Sequence, residues 1–301
     1  MADGRYAPSP TGRLHLGNLR TALLAWLFAR SAGSRFLLRI DDLDPVRSRP
    51  EHEERQLADL RAIGIDWDGE PLRVSDRRER HREALEALRA AGRVYPCWCT
   101  RREIREAAQA AHGPLPEGAY PGTCKRLTAA QRAERERSGR PAALRLDAGG
   151  EVVRFRDRLH GEVEGAVDDF VLWRADGTPA YNLAVVVDDA DQGVEEVVRG
   201  DDLLESTPRQ LLLARLLGLR APAYAHVPLV LGPDGARLAK RHGAVTLGEV
   251  EPEAAVAWMA RSLGLGPART AADLLGRFDP ERLPREPTVF AEGWSAQRAG
   301  G

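Results

Sequence analysis

Arg5-Tyr6-Ala7-Pro8-Ser9-Pro10-Thr11-Gly12-Arg13-Leu14-His15-Leu16-Gly17-Asn18 is the stretch from which the fold is read. Arg5 to Ser9 reads as a short strand that breaks at Pro8 and Pro10. From Asn18 onward Leu19, Leu23, Leu24, Leu27 and Phe28 recur at helical spacing until Gly33 stops the helix. A strand that turns directly into a helix leaves free backbone amides and the positive end of the helix dipole at the turn, a setting that suits a polyphosphate. Gly17 lets such a ligand approach the backbone. His15 and Asn18 add side-chain donors that can stabilise charge developing on phosphate oxygens.

Working outward, Arg35 to Asp42 is an apolar strand ending in acid. Ser48 with Glu51 predicts a capping box for a helix carrying Leu57, Leu60 and Ile63. A third helix, with Leu85 and Leu88 on its buried side, leads to a strand at Val94 to Trp98. This alternation predicts a parallel α/β sheet. Phe170 to Trp173, Leu183 to Val187 and Val194 to Val198 read as strands returning to that sheet. Thr207 to Leu217 is a helix stopped by Gly218, Val227 to Leu231 a strand, and Gly232-Pro233-Asp234-Gly235 a tight turn. The fold expected is α/β: a Rossmann-like, doubly wound parallel sheet. Its halves span residues 1–96 and 147–250, an insertion occupies 97–146, and a short helical segment covers 251–301.

The 301 residues, 43% hydrophobic and 30% charged, suffice for a substantial core. A net charge of −1 argues against a chain that coats nucleic acid with its whole surface, so any RNA contact is local. Apolar runs fall far short of the ~20 residues that cross a bilayer, and no basic-then-apolar leader is visible. A cytoplasmic protein is expected. Cys97, Cys99 and Cys124 lie in one short stretch, which in a reducing compartment favours a metal site over a disulfide. Three thiolates leave tetrahedral zinc one ligand short, and on ligand chemistry alone His112 is the natural fourth.

Of the 44 basic residues only Lys125 and Lys240 are lysine. One of the two sits at the centre of Arg237-Leu238-Ala239-Lys240-Arg241-His242-Gly243, a basic, glycine-ended segment after a strand and a tight turn. Such a loop can close over a triphosphate, and the lysine implies a slot that takes a compact ammonium but no guanidinium fork.

Together the two segments resemble the paired signatures of class I aminoacyl-tRNA synthetases, "HIGH" as His15-Leu16-Gly17-Asn18 and "KMSKS" as Arg237-Leu238-Ala239-Lys240-Arg241. Arg5 to Gly12, Arg39-Ile40-Asp41-Asp42-Leu43-Asp44, Tyr181 to Asp189 and Arg199-Gly200-Asp201-Asp202-Leu203 are similar to the glutamate-specific branch. The resemblance covers roughly residues 4 to 250. It implies attack of a glutamate carboxylate on the α-phosphorus of ATP, with magnesium on the triphosphate, and transfer of the acyl group to an RNA hydroxyl. His15, Asn18 and Lys240 would be catalytic, and His15, Gly17, Asn18, Arg237 and Lys240 would hold ATP. Glutamate would lie against Arg5, Tyr6, Ala7, Pro8, Ser9, Asp41, Tyr181 and Arg199. Arg5 and Arg199 suit its carboxylates, and Asp41 its ammonium, although related enzymes often carry glutamate at that position.

Tyr120-Pro121-Gly122-Thr123-Cys124 resembles the glutamyl-Q pattern, in which a tyrosine precedes the last cysteine by four; this implies one structural zinc on Cys97, Cys99, Tyr120 and Cys124. The sequence continues only 58 residues past Gly243, so no helical anticodon-binding domain is expected. The resemblance then implies a monomer that uses ATP and L-glutamate to modify queuosine in the anticodon loop of tRNA(Asp), with no DNA or membrane partner. Arg101, Arg102 and Arg126 are candidate RNA contacts. A truncated synthetase charging the 3′ end of tRNA(Glu), and a non-catalytic tRNA-binding paralogue, are the competing readings.

Overall fold

The computed structural model describes residues 2–100, 102–104, 119–239 and 245–290. The main sheet is assembled from β1 (Gly4–Tyr6), β2 (Phe36–Ile40), β3 (Leu72–Arg73), β6 (Val152–Asp157), β7 (Gly161–Ala166), β9 (Glu196–Gly200) and β10 (Ala223–Val227). Its strand order is β3-β2-β1-β9-β10-β6-β7, parallel throughout except for the antiparallel hairpin of β6 and β7. From β1 the chain winds outward on one side to β2 and β3, and later returns through β9 and β10 on the other. The strand order therefore reverses between β1 and β9, where open α/β sheets place their ligands.

Alternation along the strands sorts the residues between two faces. Phe36, Leu38, Ile40 and Val198 join the core built on α1 (Leu16–Ser31) and α7 (Pro252–Ser262), while Leu37, Val197 and Tyr224 pack on the opposite face. On that side lie α5 (Tyr181–Asp191) and α6 (Thr207–Leu217), with α3 (Arg78–Ala90) packed against these two helices. Arg5, Arg39 and Arg199 all direct their guanidinium groups to partners on this side, and all are buried.

Five elements differ from the sequence reading. Leu183–Val187 is not a strand but the centre of α5; every residue from Leu183 to Asp189 is buried, so burial on all sides outweighs the β-branched composition. Val94–Cys97 (β4) and Val171–Trp173 (β8) are strands, but they pair antiparallel with Ala143–Leu146 (β5) in a separate three-stranded sheet. The helix Pro50–Ala62 (α2) begins after Arg49 with Pro50 in its first turn and no side-chain cap, so Ser48 and Glu51 form no capping box. Capping boxes do form between Thr100 and Glu103 and at the start of α4 (Ala129–Arg137). β10 ends at Val227, and Val230–Leu231 is a separate short strand, β11, paired with Thr288–Val289, β12.

Candidate active site

At the reversal point lies a cavity of about 600 Å³ lined by β1, β9 and the turn before α1. Arg5, Tyr6, Ala7, Pro8, Ser9, Asp41, Tyr181, Arg199, His15, Gly17, Asn18 and Arg237 all face it, so the described residues of the expected ATP and glutamate sets share one space. Lys240 lies outside the described residues. Its flanks are tied to the cavity on both sides: Leu231 bridges Arg237, and the amide of Leu16 donates to Val245 O at 3.0 Å.

His15 caps α1. Its Nδ1 accepts from Asn18 N and its own backbone N–H donates to Asn18 Oδ1, each at 3.3 Å. Burial, with a further push from Arg237, lowers the imidazole to about 4, so it is neutral near pH 7. With Nδ1 committed as an acceptor, the single imidazole proton sits on Nε2. Gly17 has a steric reason beyond ligand approach: a Cβ there would stand 3.0 Å from His15 Cε1 and 3.1 Å from Nδ1.

Gln56, from α2, is 1% exposed and donates through Nε2 to Ser9 O at 3.0 Å and Gly12 O at 2.7 Å, tying the turn to the body. Arg237 pairs with Asp202, a second cavity residue. Neither contact is suggested by local sequence, because each partner lies tens of residues away.

The two arginines expected to bind carboxylates sit in different surroundings. Arg5 Nε and Nη2 donate to the two carboxylate oxygens of Asp189 at 3.1 and 3.2 Å, and Arg39 Nη1 reaches the same carboxylate at 2.6 Å. Burial raises the Asp189 carboxyl, but the charges of Arg39 and Arg5 outweigh it and hold the group below the usual carboxylate range. Arg199 is held by neutral groups: His226 Nε2 at 3.0 Å, Gln210 Oε1 at 2.8 Å and Thr207 Oγ1 at 2.8 Å. Asp41 is pushed upward by burial, which the charge of Arg39 only partly offsets. A cationic ligand group beside it would stabilise its charged form.

At the end of β4 in the second sheet the Sγ atoms of Cys97, Cys99 and Cys124 lie within 4.8 Å of one another as free thiols. Tyr120 Oη stands 3.4 Å from Cys97 Sγ and 3.7 Å from Cys99 Sγ, and accepts from Cys124 N at 2.7 Å. Hydrogen bonds from Cys124 and Cys99 push the Cys97 thiol down. Three thiols and a phenol oxygen thus converge on a point that could hold a metal ion. His112 and Arg101 lie outside the described residues. Arg102 and Arg126 are exposed on this part of the surface.

This sheet order, with a helix entrance at the reversal point, is that of a nucleotide-binding α/β domain, and residues 2–259 match the family described as "tRNA synthetases class I (E and Q), catalytic domain". The chain is 63% identical to a glutamyl-Q tRNA(Asp) synthetase of Nocardia farcinica, over 96% of this chain and 93% of that protein. It is 50% identical to one of Symbiobacterium thermophilum, over 100% and 99%. A crystal structure of a glutamate tRNA ligase from Elizabethkingia meningosepticum superposes with a TM-score of 0.81 at 26% identity, covering 98% of this chain and 68% of that one. The chain belongs to the class I tRNA synthetase (E and Q) family and, within it, to the glutamyl-Q tRNA(Asp) synthetases. No described helix is long and apolar enough to cross a membrane.

Proposed function

We propose that this chain activates L-glutamate with ATP and transfers it to queuosine in the anticodon loop of tRNA(Asp), in the cytoplasm. The observation that carries the reading is the shared cavity, which sets a neutral helix-capping histidine opposite two buried arginines and an upward-shifted carboxyl. ATP phosphates lie at the start of α1, where His15 Nε2–H, the Asn18 side-chain amide and the positive end of the helix dipole face them, with magnesium on the triphosphate; the backbone amides of Leu16, Asn18 and Leu19 are already bonded within the protein. Glutamate lies between Arg5, Tyr181 and Arg199, its ammonium towards Asp41. A glutamate carboxylate oxygen attacks the α-phosphorus and pyrophosphate leaves. A hydroxyl of the queuosine cyclopentene diol then attacks the acyl carbon, its proton is lost, and AMP leaves. Lys240 is assigned to neutralise phosphate charge from the loop whose flanks adjoin His15. Zinc suits the Cys97, Cys99, Tyr120 and Cys124 donors and would serve as a structural tie.

The test uses labelled glutamate, ATP and tRNA(Asp) with or without queuosine, followed by cleavage of the RNA. Label should appear in the anticodon fragment and only when queuosine is present. Label on the 3′ terminal fragment would make the chain a tRNA-charging enzyme instead.

A further inference from the structure

Beside the cavity, away from its walls, stands a buried dyad with no part in the chemistry above. His226 on β10 and Asp157 at the end of β6 have fully buried side chains, with His226 Nδ1 2.7 Å from Asp157 Oδ2. The same carboxylate also accepts the backbone N–H of His226 at 3.1 Å, of Leu159 at 2.9 Å and of His160 at 3.0 Å. An acceptor so fully supplied is an ionised carboxylate, so Nδ1 is the donor and Nε2 of the neutral ring is bare. That bare nitrogen is where Arg199 Nε–H points, at 3.0 Å.

We propose that His226, its tautomer fixed by Asp157, is a positioning residue that aims Arg199 at a substrate carboxylate; this rests on the glutamate reading above. Arg199 has five N–H groups. His226, Gln210 and Thr207 take one each, leaving two at a residue that lines the cavity. The Tyr224 ring completes the mould, lying parallel to His226 at 5.8 Å and 5.0 Å below the Arg199 guanidinium carbon. All four partners are neutral, so the guanidinium plane is fixed without spending its charge, which stays available for an anion.

The dyad makes substrate capture depend on pH. Protonation of His226 would set an N–H against the Arg199 Nε–H and break the aim. Several groups face the ring: Asp157 from β6, His160 from the turn after it, Arg199 from β9, Thr207 from α6 and Tyr224 on β10. Burial lowers its proton affinity, Asp157 opposes that, and Arg199 reinforces it; the balance keeps the ring neutral below its ordinary range.

The test measures glutamate-dependent ATP–pyrophosphate exchange on wild type, His226→Gln and His226→Asn. Glutamine can place an amide oxygen where Nε2 stood, whereas asparagine reaches only the Nδ1 position. His226→Asn should raise the glutamate KM by roughly tenfold or more, the loss of one hydrogen bond to a charged group, with the ATP KM unmoved. His226→Gln should recover most of it. The wild-type glutamate KM should climb only once pH falls below the ordinary imidazole value, ~6.5, because the ring's proton affinity is lowered; His226→Gln should flatten that climb. Equal changes in both Michaelis constants, or the same acid limb in His226→Gln, overturn the relay while leaving the activity in place. Wild type with no glutamate-dependent exchange overturns the function and the relay with it.

Discussion

Arg5 and Arg199 stand on the two central strands of one sheet and face one cavity, yet the fold secures them in opposite ways. Arg5 shares the carboxylate of Asp189 with Arg39, three charged groups closed into a buried cluster that joins β1, β2 and α5. Arg199 is secured by an imidazole, an amide and a hydroxyl. The first arrangement ties elements together and spends much of its charge within the protein. The second holds a guanidinium still and leaves its charge for a ligand. The residue type alone does not say how much of a cation's charge is left over for a ligand; the charge of its partners does.

Asp189→Ala is the severest way to break the comparison. It strands two buried cations, and loss of one partner of a buried pair costs about 3 to 5 kcal/mol. Chemical denaturation should show a loss of that size, with folded protein recovered poorly. The pH dependence has a definite sign. Asp189 is depressed in the folded state, so the stability it adds is complete above the ordinary carboxylate value, ~4, and drains as pH falls through the depressed one. Acid unfolding of wild type should therefore include this loss below about pH 4, and the variant should lack that component. A variant as stable as wild type would remove the structural half of the contrast.

Arg199→Ala tests the other half. Loss of a charge-assisted pair to a carboxylate costs on the order of 2 to 5 kcal/mol of binding, so glutamate binding should collapse while ATP binding and folding are nearly kept. Michaelis constants for glutamate and ATP that rise together would mean that Arg199 serves the fold and not the ligand.

The part of this arrangement legible in the sequence was the part written in local order. A strand, a proline-broken turn and a helix beginning near His15 can be read from adjacent residues, and the cavity-lining residues from Arg5 to Asn18 lie where that reading put them. The supports were not legible. Gln56 holds carbonyls 44 and 47 residues away, and His226 meets an aspartate 69 residues away. Arg39 in Phe36–Ile40 and His226 between Ala225 and Val227 carry one local signal, polarity inside apolar text, whereas Gln56 stands among charged residues and carries none. Residues Leu183–Val187 misled for a related reason: β-branched side chains favour a strand, and only the tertiary packing reveals a helix enclosed on all sides. Val94–Cys97 was legible as a strand but not as a member of the second sheet, since pairing partners are set at long range.

Gly17→Ala is the smallest of the three perturbations and serves as the control that belongs to neither arginine. The new methyl would meet the His15 ring at 3.0 to 3.1 Å and Val230 Cβ at 3.5 Å. The backbone there is helical, so the strain is one of packing alone, and overpacking of this kind costs typically about 1 to 3 kcal/mol. The ring is the side that can yield, but moving it breaks the hydrogen bond from Asn18 N to His15 Nδ1 that fixes the proton on Nε2. The damage should therefore fall on the phosphate end of the cavity. Adenylate formation should drop by roughly tenfold, about 1.4 kcal/mol in the transition state, with the glutamate KM within about twofold of wild type. A rise in the glutamate KM as large as the fall in rate would show that the two ends of the cavity move as one, and the separate securing of Arg199 would then lose its consequence.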